Sequence, residues 1–255
     1  MTNLSLASSV ELISVHVPKT AGKNFGYKIL PQIYRPDEIL YDYQELSVKT
    51  LIDQGQLTNN IRAIHGHFPA VKYKDYFHQC QVVSWLRNPI MQLISAYFYW
   101  KVKKDVFYSN EHKYVVENNL SFSEFIELKC TKNFVSNYFF KDIRLSEFTF
   151  VGIQEFFNED LQSCMKTLEN QVLEVQIFNK NEYPEYKEEV TKILDNKKTM
   201  TRIVELNGKD LQVYNLALKM RCERKGLLNH LQMYEQVLEN SRALLERFKV
   251  SGIKK

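Results

Sequence analysis

Residues 11–25 read E-L-I-S-V-H-V-P-K-T-A-G-K-N-F. Leu12, Ile13, Val15 and Val17 form a short apolar, largely β-branched run stopped by Pro18, the pattern of a buried parallel strand. Pro18 to Asn24 is a low-bulk turn with one glycine and two lysines, and it opens into a segment, 25–30, that reads as helix up to Pro31. Such a layout aims successive backbone N–H groups and a helix start at one point, a ready anion site. The nucleoside-triphosphate loop G-x-x-x-x-G-K-[ST] fits only at Gly22 and Lys23. Its first glycine would fall on Val17 and its magnesium-binding hydroxyl on Asn24. An ordinary strand-to-helix turn has the same outline.

The 255 residues, 44% hydrophobic and 13% aromatic, suffice for one sizeable core and predict a single domain over 1–255. A formal charge of +4 suits a small anionic ligand and is too weak to argue for nucleic acid. Cys80, Cys130, Cys164 and Cys222 are scattered, with no paired spacing that reads as a metal site or disulfide frame, so a reducing, cytoplasmic setting is expected. The first ten residues carry no Lys or Arg and the apolar run after them carries Glu11 and His16, so a secretory signal is not expected, and no run approaches the length of a membrane span.

Further strands are expected at 61–64, 81–86, 148–153 and 172–178, with helices at 46–57, from Pro89, at 121–128, at 158–168, and through most of the chain from about 208. Gly226 is expected to interrupt the last of these. Asn88 is a predicted N-cap with Pro89 in the first turn, and Ser121 with Glu124 forms a capping-box pattern. The strand at 61–64 runs into His65-Gly66-His67-Phe68-Pro69, and polar groups at a strand end suit the ligand side of an open α/β sheet. Histidines at i and i+2 share a face, so a metal pair and a satisfied turn are both readings of that sequence. Arg87 ends the strand at 81–86, and Ser95 lies two turns into the next helix; an arginine there suits a phosphate, or is simply a surface residue. Glu155 is a candidate second acid or base, or a helix-capping glutamate. The paired aromatics Tyr41 and Tyr43 carry no chemical assignment.

Three stretches together resemble the sulfotransferases that use 3′-phosphoadenosine 5′-phosphosulfate (PAPS), most closely the carbohydrate enzymes of the heparan-sulfate 2-O kind. Val17-Pro18-Lys19-Thr20-Ala21-Gly22 resembles their 5′-phosphosulfate loop. Arg87, Pro89 and Ser95 are spaced as in their 3′-phosphate motif, and Gly66-His67-Phe68-Pro69 is similar to their G-H-x-P element. Residues 150–155 and 206–214 are similar to later family blocks. Lys23, Asn24, Asn88 and Gln92 depart from the pattern, in which hydroxyls, Asp and Arg are usual.

The resemblance implies an α/β fold with a central, mainly parallel sheet and flanking helices. It also implies transfer of a sulfuryl group from PAPS to an alcohol, a sugar hydroxyl being favoured, without a metal. Lys19 would be catalytic, with His67 as the base. Thr20, Ala21, Gly22, Lys23 and Asn24 would join Lys19 in binding the donor's 5′ end, and Arg87 and Ser95 would hold its 3′-phosphate. The partner expected is a small-molecule or carbohydrate acceptor, with no nucleic acid and no membrane span. Two other classes fit the loop. A small-molecule kinase would need a magnesium-binding acid at the end of a neighbouring strand, and a non-catalytic protein could keep the nucleotide site without turnover.

Overall fold

The structure is a computed structural model that describes residues 9–104, 107–170 and 186–226. In chain order they form β1 (Leu12–Val15), α1 (Gly22–Asn24), a π-helical turn (Phe25–Ile29) running into α2 (Leu30–Ile33), β2 (Ile39–Asp42), α3 (Val48–Asp53), β3 (Ala63–Gly66) and β4 (Gln81–Leu86). There follow α4 (Pro89–Val102), α5 (Asn110–Glu117), α6 (Phe122–Phe125), β5 (Phe150–Ile153), α7 (Phe157–Thr167), α8 (Tyr186–Asp195), α9 (Lys197–Leu206) and α10 (Gly208–Arg224). The chain divides into two compact units, one from 1–87 and 135–179, the other from 88–134 and 180–255.

The first unit holds the sheet. Its five strands are all parallel in the order β2-β3-β1-β4-β5, with Val15 paired to Gly66 on one side and to Ser84 on the other. The expected α/β architecture with a central parallel sheet and flanking helices is the one observed. Strands covered on both faces need apolar residues at successive positions, and Leu12, Ile13 and Val15 are all nearly inaccessible. One face packs Leu12, Val83, Trp85 and Phe150 against Phe25, Ile29 and Leu30 of the first helical segment and against Phe157, Leu161 and Met165 of α7. From β1 the chain moves outward to β2, returns to β3, then crosses to β4 and β5. The ends of β1, β3 and β4 therefore meet where the strand order reverses, the place at which open α/β sheets bind ligands.

Two expectations are corrected here. The helix after the loop does not stop at Pro31, because the Leu30 N–H bonds to the Phe25 carbonyl in π register and Pro31 falls in the first turn of α2, where a missing N–H is tolerated. The helix expected at 46–57 is shorter, capped at its start by the Ser47 side chain. A strand not expected from the sequence, β2, lies at the sheet edge and ends in Asp42. The strand expected at 172–178 and the helix beyond Gly226 lie outside the described residues.

The second unit is helical. The Asn88 side chain accepts from the Ile90 and Met91 N–H groups, and Ser121 and Glu124 form the expected reciprocal cap. Met91, Ile94, Phe98, Val115, Phe125, Val190 and Ile203 make its core. Among the described residues no helix is long and apolar enough to cross a membrane.

Candidate active site

The loop after β1 is built under backbone strain. Lys19 and Ala21 both have positive φ (67° and 70°), a conformation that costs non-glycine residues roughly 1–3 kcal/mol each. Left-handed residues alternating with their neighbours turn successive N–H groups inward into an anion-binding concavity. Two features hold that shape. Thr20 is buried and its hydroxyl donates to the Val17 carbonyl at 2.7 Å, and the Arg87 Nη1, from the end of β4, donates to the Lys19 carbonyl at 3.3 Å.

Gly22 and Gly26 are required by the rings that lie on them. A Cβ at Gly22 would come within 1.9 Å of His16 Cδ2, and one at Gly26 within 2.2 Å of His65 Nε2. No L side chain fits either position unless an imidazole moves. Asn24, buried in the first helical turn, has an Nδ2 with no hydrogen-bond partner among the described residues, and the same holds for Nε of Arg87. Buried donors of this kind are rarely left unsatisfied, and their chemistry suits an oxyanion.

Three histidines gather at the same end of the sheet. His16 follows β1, while His65 and His67 flank Gly66 at the end of β3. The His16 ring stacks on His65 at 5.0 Å and meets His67 at 4.4 Å. His65 is fully buried and its Nδ1 shares a 2.9 Å hydrogen bond with the Ser14 hydroxyl on β1. His67 is half-buried, and its Nε2 has no partner among the described residues. Tyr43, just past β2, closes the group. Its hydroxyl lies 3.1 Å from His16 Nδ1, and its ring meets His67 edge-on at 4.7 Å. Tyr27 stacks on both Tyr41 and Tyr43.

Burial sets the protonation of this cluster. His65 is pushed down to about 3 by desolvation and then by His67, and His67 to about 4 by desolvation and then by the Lys23 ammonium. His16 is also held well below the ordinary histidine value, first by burial and then by its two histidine neighbours and Lys23. All three imidazoles are neutral near pH 7. Burial, followed by hydrogen bonding with Tyr27, keeps the Tyr43 phenol protonated.

The loop, His67 and Arg87 thus come together in the first unit, as their order in the sequence suggested. Lys19 is half-buried and Lys23 exposed. Ser95 belongs to the second unit, buried on α4. Glu155 sits in the 3₁₀ turn after β5, two strands from β1. Sequence reasoning missed His16 and gave Tyr43 no role. The one local signal that could have pointed to His16 is that it is the single titratable residue between Leu12 and Val17. Among the described residues no group of three or more His, Cys, Asp or Glu could hold a metal ion.

No protein-family model matches the chain, and no curated protein matches it. Among solved structures it is similar to mouse sulfotransferase SULT7A1 complexed with PAP, at 18% identity and a TM-score of 0.44, over 67% of this chain and 64% of that one. It is also similar to a sulfotransferase from Alicyclobacillus acidocaldarius, at 13% identity and a TM-score of 0.32, over 78% of this chain and 96% of that one. Both are partial likenesses of chain path, and the chemistry of the site has to be taken from its own residues.

Proposed function

We propose that the protein is a sulfotransferase that moves a sulfuryl group from PAPS to an alcohol acceptor, with a sugar hydroxyl as the favoured class. The observation that carries this reading is the bond from Arg87 to the Lys19 carbonyl. It sets a guanidinium from the end of β4 against the strained loop after β1, so one anion-binding centre draws on two adjacent strands. A donor with phosphates at both its 5′ and 3′ positions calls for two such elements.

In the proposed reaction the acceptor oxygen forms a bond to sulfur as the bond from sulfur to the 5′-phosphate oxygen breaks. The electron pair leaves on that phosphate, and the acceptor's proton passes to Nε2 of His67. Sulfuryl transfer resembles phosphoryl transfer in needing in-line positioning and neutralisation of the leaving oxygen more than covalent help. Lys19 neutralises that oxygen. The N–H groups of Thr20, Ala21, Gly22, Lys23 and Asn24, with the Asn24 amide, hold the 5′ end. Arg87 holds the 3′-phosphate, and Ser95 is assigned to the same group by the family resemblance alone. The whole chain, 1–255, serves this one activity.

A kinase reading is disfavoured by the strand ends. β1 is flanked by β3 and β4, which end in His65-Gly66-His67 and Arg87 where a magnesium-binding carboxylate would be needed. The acid that does end a strand, Asp42, is on the outer strand, paired with Lys72 and accepting from the Tyr73 hydroxyl.

The deciding experiment is a melting screen with adenosine 3′,5′-bisphosphate and ATP, each with and without magnesium, followed by assay of the bisphosphate released from PAPS. Stabilisation by the bisphosphate without magnesium, with turnover, is expected. Stabilisation by magnesium-ATP alone would favour the kinase, and bisphosphate binding without turnover a non-catalytic protein. His67→Ala should lower turnover by about 10²- to 10⁴-fold with bisphosphate binding intact.

A further inference from the structure

One side chain touches the loop, both histidines at the end of β3 and Tyr43. The His16 ring lies on the Cα of Gly22 in the loop, stacks on His65, meets His67 at 4.4 Å and shares a hydrogen bond with the Tyr43 hydroxyl beyond β2. Tyr43 in turn sets its ring edge-on to His67, so His67 is clamped between the imidazole of His16 and the phenol of Tyr43. We propose that His16 and Tyr43 are a pair of positioning residues whose mutual hydrogen bond fixes the orientation of the His67 imidazole over the phosphate loop. The inference rests on the sulfotransferase reading for its effect on rate, but not for its geometry.

The physical reason lies in how His67 is held. Its Nε2 has no hydrogen-bond partner among the described residues, so packing has to set the direction of that lone pair. The Tyr43 ring is kept in place by stacking on and hydrogen bonding with Tyr27 and by its hydroxyl's bond to His16. His16 is kept in place by the lack of a side chain at Gly22 and by His65, itself anchored to Ser14. Loss of the bond between His16 and Tyr43 frees both clamping rings together. A base displaced by about 1 Å costs on the order of 10²-fold in rate.

The test compares Tyr43→Phe, which keeps the ring and removes the hydroxyl, with His16→Gln and with the double variant. Each single variant should lower kcat about 10- to 100-fold while the Kd for adenosine 3′,5′-bisphosphate, measured by calorimetry, stays within about threefold. The loss in the double variant should be smaller than the product of the two single losses, because the bond the two residues share cannot be lost twice. In the ligand-free protein, the imidazole nitrogen resonances of His67 should shift in Tyr43→Phe. Wild-type kcat and unmoved His67 resonances in Tyr43→Phe, or losses that add in the double variant, would overturn the proposal. A wild-type protein that releases no bisphosphate from PAPS would sink the reaction reading instead, and the His67 resonances would then decide the positioning claim by themselves.

Discussion

Arg87 reaches the loop through one nitrogen and has a second, Nε, with no partner among the described residues, so its charge is only partly engaged by the protein. If that charge meets a 3′-phosphate, Arg87→Ala should weaken adenosine 3′,5′-bisphosphate by about 1.5–3 kcal/mol, the worth of a charge-assisted bond, and leave AMP little changed. Calorimetric titration with both ligands checks this, and equal losses would make Arg87 a brace for the loop. The two lysines separate by role. Charge on the departing oxygen develops only during reaction, so Lys19→Ala should cut kcat by about 10²- to 10³-fold with a much smaller change in donor affinity. Lys23→Thr should be mild, since Lys23 is exposed and acts on the histidines from outside. The reverse ranking in steady-state kinetics would assign the loop to a Walker-type lysine.

Elements explain what the sequence could and could not tell. The strand at β1, the cap at Asn88 and the reciprocal cap at Ser121 and Glu124 were legible because each is written in neighbouring residues. The gathering of the loop, His67 and Arg87 was legible from their order, since parallel strands bring their carboxyl ends to one side. β2 was not legible: Ile39 and Leu40 are followed by the half-buried Tyr41 and the buried Asp42, a mixture that matches neither alternation nor an apolar run. The site's third histidine escaped notice because the ring contacts of His16 are made with residues far along the chain. Asn88→Ala removes a side chain that accepts two N–H groups at the start of α4. It should cost about 0.5–2 kcal/mol in chemical denaturation, whereas Asn88→Asp should keep the cap.

For the molecule as a whole, the buried histidines govern acid stability. The unperturbed imidazole titrates near 6.5, but in the folded protein His67 and His65 are pushed down to about 4 and about 3. Below pH 6.5 the unfolded chain therefore binds protons that the folded one refuses, and stability falls as pH drops towards those values. Each of the two groups contributes up to about 1.4 kcal/mol per pH unit over that window. Unfolding midpoints measured between pH 7 and pH 4.5 should fall steeply below about 6.5, and His65→Asn should flatten the slope. A flat profile in the wild-type protein would mean that the cluster is more hydrated than it is here. If His67 is the base of the proposed reaction, the acidic limb of its pH profile should lie below the ordinary histidine value, because a desolvated base stays neutral further into acid.

β5 joins the sheet beside β4 only after the chain has completed α4, α5 and α6; the Val82 N–H bonds to the Thr149 hydroxyl across 67 residues of sequence. During synthesis, β4 therefore emerges from the ribosome with one edge open and waits through that whole excursion for its neighbour. At about 5–20 residues per second the exposure lasts several seconds, long enough for a chaperone or a second nascent chain to find it. Slowing translation before residue 150 should raise the aggregated fraction, and slowing it after residue 153 should not.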